Sequence, residues 1–161
     1  MAAKNVPLIS VVITCYNYGD YVGQAIESVL GQTYKNIELI VINDGSTDDS
    51  DAVIKKYVKL HPTIKYVSQQ NSGANISRNK GIEISRGKFI FLLDADNWLN
   101  DDHIAKLCQT ISKNDSDIAY GDLQSFGEDT TLHIMPEYDI NILKVNNFID
   151  TSSLIRKSSI G

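Results

Sequence analysis

The sequence is poor in the residues that build covalent or metal scaffolds. It has two cysteines, three prolines, three histidines and one tryptophan in 161 residues. Cys15 and Cys108 form no CxxC pair, which excludes a disulfide framework or a cysteine zinc site. They read as free core thiols. His61, His103 and His133 lie far apart and make no HExxH pair, so each reads as a packing or surface residue. No apolar run approaches the ~18 residues of a membrane span, and no signal-peptide h-region stands at the start. Positive charge is also short: 15 Lys and Arg face 20 Asp and Glu, a formal net charge of -5. That disfavours a phosphate backbone, so no nucleic-acid partner is expected. An anionic ligand would need a local remedy: a metal ion, a helix N-terminus or one placed arginine. One soluble domain over residues 1–161 is expected, in the cytoplasm, with any membrane association supplied by other regions or partners.

Alternation of two patterns fills this frame. Pro7 to Thr14, Ile37 to Asn43 and Lys88 to Leu93 are apolar runs that read as buried strands, and Ile64 to Val67 reads as a short third strand in chain order. Between them Tyr21, Val22, Ala25, Ile26, Val29 and Leu30 recur at helical spacing, with Asp20 as N-cap and Gly31 as stop. A second helix runs from about Asp49 to Leu60 and ends at His61-Pro62. Residues 73–86 predict a helix with a small-residue face, Ala74, Ser77, Gly81 and Ser85, suited to close packing on a sheet. Ile104, Leu107, Cys108 and Ile111 mark a fourth helix, capped by Asp101 or Asp102. Ile118 to Tyr120 reads as one more strand. After residue 122 the pattern weakens to a hairpin around Gly127-Glu128-Asp129, a short helix near 139–147 and a strand near 151–155.

Continuously apolar strands that alternate with helices predict a mostly parallel sheet covered on both faces. Ligands of such sheets bind beyond the carboxyl ends of the strands. Those ends carry Thr14-Cys15-Tyr16-Asn17, Asn43-Asp44-Gly45-Ser46 and Asp94-Ala95-Asp96. The first turn, TCYNYGD, has no GxGxxG and no Walker A loop, which excludes a glycine nest for a dinucleotide or nucleoside triphosphate there. It also lacks the Gly-rich basic loop of a sugar nucleotidyltransferase. Tyr16 could stack on a base or plug the sheet edge. Asp44 could accept from a ribose hydroxyl or a base N–H, or serve a tight turn. Asp94 and Asp96 would point the same way in extended backbone, and two close carboxylates call for a cation. Mg2+ or Mn2+ fits, since each takes oxygen ligands and leaves positions for phosphate; a capping loop is the simpler alternative. Arg78 could approach a diphosphate or pair with Glu83 or a nearby Asp.

Taken together, VVITCYNYGDYVGQAIESVLGQTY, IELIVINDGSTDDS, SGANISRNKGIEISRGKFIFLLDADN and, more weakly, IDTSSLIRKSSIG resemble the catalytic domain of the family 2 glycosyltransferases. These are inverting enzymes of the GT-A fold, a Rossmann-like three-layer α/β/α sandwich. The resemblance implies a nucleotide-sugar donor, usually a UDP-sugar, with Mn2+ or Mg2+, and a glycan or lipid-linked acceptor. By position it implies that Thr14, Tyr16 and Asn17 with Ala95 line the nucleotide-sugar site and Asp44 meets the uracil. Arg78 would lie near base and ribose, Asp94 near the ribose or sugar, and Asp96, with Asp94, at the metal. The family's general base follows a GxFDE-like segment, which would begin where the chain ends at Gly161. Glu137, Asp139 and Asp150 do not match it, so the base is expected beyond Gly161 and the chain reads as the donor half, with a homodimer covering the exposed sheet. The alternative is a non-catalytic binding module of the same fold.

Overall fold

The computed structural model describes residues 6–160. Its elements in chain order are β1 (Ile9–Cys15), α1 (Gly19–Leu30), β2 (Ile37–Asn43), α2 (Ser50–Leu60), β3 (Lys65–Ser68), α3 (Ala74–Ile84) and β4 (Phe89–Asp94). There follow α4 (His103–Asn114), β5 (Ile118–Ala119), β6 (Leu123–Gln124), β7 (Leu132–His133), α5 (Ile140–Val145) and β8 (Leu154–Arg156). A six-stranded sheet has the order β3-β2-β1-β4-β8-β5. The first four strands are parallel, and β8 runs antiparallel between β4 and β5. β6 and β7 form the expected hairpin as a separate two-stranded sheet.

Strand alternation divides the helices into two layers. Ile9, Val11, Ile13 and Cys15 of β1 join Phe89, Phe91 and Leu93 of β4 under α1, α2 and α4 in one core. Val12, Ile40 and Ile42 face the opposite side with Ile84 of α3. Each fully buried Ile or Phe removes enough apolar area for roughly 1.5–3 kcal/mol. The small face of α3 has a concrete cause: a Cβ at Gly81 would stand 2.2 Å from Val12 Cγ1. Ser77 and Gly81 are buried on that face, whereas Ala74 is exposed, and Ser85, though buried, lies past the helix end at Ile84 in extended backbone, so the helix is shorter than the expected 73–86. Ala74 is the first residue of α3 and lines the cavity at the sheet's carboxyl edge.

Several caps differ from expectation. α1 starts at Gly19 with Tyr18 in the cap position, so Asp20 lies in the first turn and caps nothing. The amides of Tyr18 and Gly19 instead donate to Ser50 Oγ and Asp48 Oδ2 of the neighbouring loop, both at 3.0 Å. Neither Asp101 nor Asp102 caps α4 through its side chain. Buried Gln32 does: its Oε1 accepts from Ile104 N at 3.0 Å while its Nε2 donates to Ser28 O and Asn100 O. Long-range partners replace the local caps because these termini are packed against one another.

At the sheet's amino edge Glu38 is buried. It accepts from Ser10 Oγ (2.5 Å), Lys65 Nζ (2.8 Å), Arg86 Nε (3.1 Å) and the Arg86 amide. Burial alone would raise this carboxyl. The Lys65, Ser10 and Arg86 contacts overcome it and lower its pKa to about 2.

Candidate functional site

The sheet order 3-2-1-4 reverses direction between β1 and β4, and at that point the carboxyl edge opens into a cavity of about 450 Å³. This is the crevice where doubly wound sheets hold ligands. All three expected loops contribute: Thr14, Cys15 and Tyr16 from the first, Asp44 from the second, Asp94, Ala95 and Asp96 from the third. Gly73, Ala74, Ser77 and Arg78 close it from α3.

Register explains the central contact. Thr14 pairs with Asp94, and both occupy the α3 side of their strands. Arg78, one turn into α3, therefore meets Asp94: its Nη2 donates to Oδ1 at 2.7 Å and to Oδ2 at 3.0 Å. Thr14 Oγ1 adds a long contact at 3.4 Å. The two acids after the strand are thus not equivalent. β4 ends at Asp94, and a turn closed by Asn97 N to Asp94 O (3.0 Å) follows. The expected parallel aim of Asp94 and Asp96 fails because the backbone is no longer extended there. The cation beside Asp94 is Arg78. Asp96 has no cation against it among the described residues, and it stands next to Tyr18. The negative charge of Asp96, with some burial, pushes the Tyr18 phenol above its usual value.

Asp44 is buried and heavily used. Oδ1 accepts from Gln69 Nε2 (2.8 Å), Ser72 N (3.0 Å) and Ser72 Oγ (3.1 Å), and Oδ2 accepts from Gly73 N (2.8 Å). Burial would raise its carboxyl, but the donors from Gln69, Ser72, Gly73 and Ser77 prevail and lower it. Asp44 therefore stays ionised and fixes the loop that starts α3, where Gly73 adopts φ +93°. Gly45, at φ +73°, lets the chain pass Asn71, whose amide would stand 2.6 Å from an added Cβ.

Tyr16 is 45% exposed at the rim, free to stack rather than sunk as a plug. Ala95 is buried beneath the cavity. Asn17 does not line it. With φ 58°, its Oδ1 accepts from Thr47 N at 2.8 Å and its amide donates to Ser46 Oγ at 3.0 Å, so it ties two loops together. Cys15, Tyr18, Asn71, Gly73, Ala74 and Ser77 also line the cavity, and none of them is named as a site residue from sequence. The aromatic spacing in CYNYGDY was the one available signal, for Tyr18.

Three carboxylates (Asp44, Asp94, Asp96) and one guanidinium (Arg78) line the cavity. A diphosphate entering it would need added positive charge. No group of three His, Cys, Asp or Glu residues that could hold a metal exists among the described residues. A free Asp96 beside a paired Asp94 nonetheless fits Mg2+ or Mn2+, which bind through one or two carboxylates plus substrate phosphates. Of the later acids, Asp139 and Asp150 accept the amides of Asn141 and Ser152, both at 2.7 Å, in local turns. A base beyond Gly161 lies outside the described residues.

Residues 10–158 match the profile of the family described as Glycosyl transferase family 2. The chain is 37% identical over 120 residues to the glycosyltransferase GlyA of Streptococcus pneumoniae, covering 74% of this chain and 17% of that protein. It is 36% identical over 124 residues to the putative glycosyltransferase EpsH of Bacillus subtilis, covering 77% and 36%. Among solved structures, Staphylococcus aureus TarS 1-349 in complex with UDP-GlcNAc superposes with a TM-score of 0.81 at 20% identity, over 94% of this chain and 46% of that one. The mannosyltransferase PcManGT of Pyrobaculum calidifontis, in complex with GDP-Man and Mn2+, gives 0.69 at 15% identity, over 92% and 49%. The chain thus spans less than half of each of these proteins. The structural likeness establishes the GT-A fold.

Proposed function

The chain belongs to glycosyl transferase family 2, and on that premise we propose that its cavity binds a nucleoside-diphosphate sugar, with uridine as the base, for inverting transfer to a hydroxyl of a glycan or lipid-linked acceptor. The carrying observation is the grouping at the switch point of an exposed Tyr16, an ionised Asp44, the Arg78–Asp94 pair and an unpaired Asp96. Each suits one part of the donor. Tyr16 offers a face to the base. Thr14 contacts the nucleoside, and Asp44 Oδ2 accepts from the uracil N–H. Asp94 meets the ribose or the sugar.

Arg78 holds Asp94 before the donor arrives. Its guanidinium lines the cavity, where its remaining N–H groups can meet a diphosphate or ribose oxygen. Asp96, with Asp94 behind it, would hold Mn2+ or Mg2+, which when bound neutralises charge on the diphosphate leaving group. The acceptor hydroxyl then attacks the anomeric carbon from the face opposite the diphosphate, which inverts that centre and releases the nucleoside diphosphate. The hydroxyl proton goes to a base that we assign to none of the described residues.

Thermal unfolding with UDP, GDP, ADP and CMP, each with Mn2+, tests this reading. A ligand at 100 times its Kd adds about 2.7 kcal/mol, or roughly 5–10 °C for a domain of this size. UDP is expected to give the largest shift. A cooperative melt that no nucleotide moves would overturn the donor reading in favour of a non-catalytic module.

A further inference from the structure

A second hollow, of about 600 Å³, lies between α1 and the loop that follows β4. Nothing in the donor reading uses it. Trp98 forms part of its wall, with Gln24 and Glu27 from α1 and Asn100 and Asp101 from the loop. Trp98 packs against Phe126 of the β6–β7 hairpin with ring centroids 3.9 Å apart and ring planes tilted by 44°, yet it keeps 38% of its surface exposed. The side chains of Gln24, Asn100 and Asp101 make no hydrogen bond among the described residues. Glu27 accepts from Tyr57 Oη at 2.5 Å through one oxygen, which fixes the carboxylate and leaves its other oxygen open.

We propose that this hollow binds a neutral sugar unit of the acceptor, stacked on Trp98; the inference rests on the glycosyltransferase reading above. A pyranose has one face of C–H groups and a rim of hydroxyls that both donate and accept. An oriented indole answers the face, and amides plus carboxylates answer the rim. Charge narrows the choice. Glu27, Asp101 and Asp102 surround the hollow, and the nearby Lys106 is already paired with Asp102 at 2.8 Å. Uronates and phosphorylated sugars would be repelled.

The hollow is linked to the donor cavity twice. Asp96 lines the cavity and Trp98 the hollow, two residues apart on one turn. Tyr18, in the cap position of α1, stands at the cavity and Gln24 of α1 at the hollow, ~9 Å further along the axis at the α-helical rise. Exposed Tyr21, edge-on to Tyr18 at 6.1 Å, bridges the interval. The ligand class is therefore an oligosaccharide that reaches from the transfer point, not a lone monosaccharide.

Trp98 is the one tryptophan of the sequence beside eight tyrosines, so tryptophan emission, excited selectively at the red edge of the absorption band, reports on this hollow. The probes are cellotetraose, chitotetraose and maltotetraose, with tetragalacturonate as the anionic control, titrated into the whole chain. A saturable emission change with at least one neutral tetrasaccharide and none with tetragalacturonate is expected. Calorimetry on Trp98→Leu should then show that sugar binding about tenfold weaker, and Gln24→Ala, which leaves the Trp98–Phe126 contact alone, should also weaken it. UDP binding with Mn2+ should be unchanged in both variants. No response to any neutral probe, equal binding of the anionic one, or full sugar affinity in both variants would overturn the proposal. UDP binding by the wild-type chain separates the two readings: retained with no sugar response, only this inference fails; absent, the donor reading fails.

Discussion

Glu38 offers a sharp test of the electrostatics that hold the sheet. Its carboxyl is lowered from its usual 4.5 to about 2 by Lys65, Ser10 and Arg86, against the opposing effect of burial. Because the folded value is depressed, the stabilisation is present above the unfolded value and is lost as pH falls through the folded one. At 1.36 kcal/mol per pH unit, the full contribution is about 3 kcal/mol at pH 7. The same single-site relation leaves about 1.4 kcal/mol at pH 3 and about 0.4 kcal/mol at pH 2. Glu38→Gln keeps the shape and removes the charge. Lys65 and Arg86 are free to turn to solvent in the variant, since their side chains are 33% and 72% exposed. Urea unfolding of both proteins between pH 7 and pH 2 reads the difference directly, and other carboxylates cancel in the comparison. The two stabilities should differ by about 3 kcal/mol at pH 7 and converge near pH 2. A gap that stays constant from pH 7 to pH 3 would refute the assignment of that stability to the ionised cluster.

Gly81→Ala should destabilise the chain by about 1–3 kcal/mol in urea unfolding, since its Cβ meets Val12 at 2.2 Å. Combined with Val12→Ala, its cost should shrink, a non-additivity that unfolding midpoints would reveal. Arg78→Ala should weaken UDP binding about tenfold or more by calorimetry, and Arg78→Lys should restore little, because Nη2 alone is used on both oxygens of Asp94 and a shorter ammonium has fewer further N–H groups to offer the donor. The Tyr18 phenol is raised chiefly by Asp96. Asp96→Asn should therefore lower its titration midpoint, measured by NMR of the tyrosine ring carbons, and an unchanged midpoint would separate the two residues.

What could be read from the sequence followed the range of the interactions involved. β2 spans the expected Ile37 to Asn43, and α2 ends before His61-Pro62, because continuous apolar burial and the residue before proline act locally. The three loops met at one cavity because parallel βα units bring carboxyl ends together by topology. The caps did not follow. Gln32, Asp48 and Ser50 serve termini in other segments, and no local pattern announces such partners. Asn17 looked like a ligand residue because it closes a strand, yet its positive φ turns it into a loop tie. Spacing alone gives Asp94 and Asp96 one shared aim, although the family resemblance already assigns them different parts of the donor. The turn at Asp94 and the register with Thr14 distinguish them physically. After residue 122 the strands are two or three residues long, and Leu132, Ile134 and Val145 are exposed, so the periodicity had little to report.

The central claim is that Asp96 exists to hold a cation that holds a diphosphate. Its most direct test is calorimetric titration of UDP into the wild-type chain and into Asp96→Asn, each with and without Mn2+, on samples shown to melt cooperatively. Wild type is expected to bind UDP at least about tenfold more tightly with Mn2+ than without it, and Asp96→Asn to lose that gain. Equal UDP affinity with and without Mn2+, or a metal effect undiminished in Asp96→Asn, would contradict it.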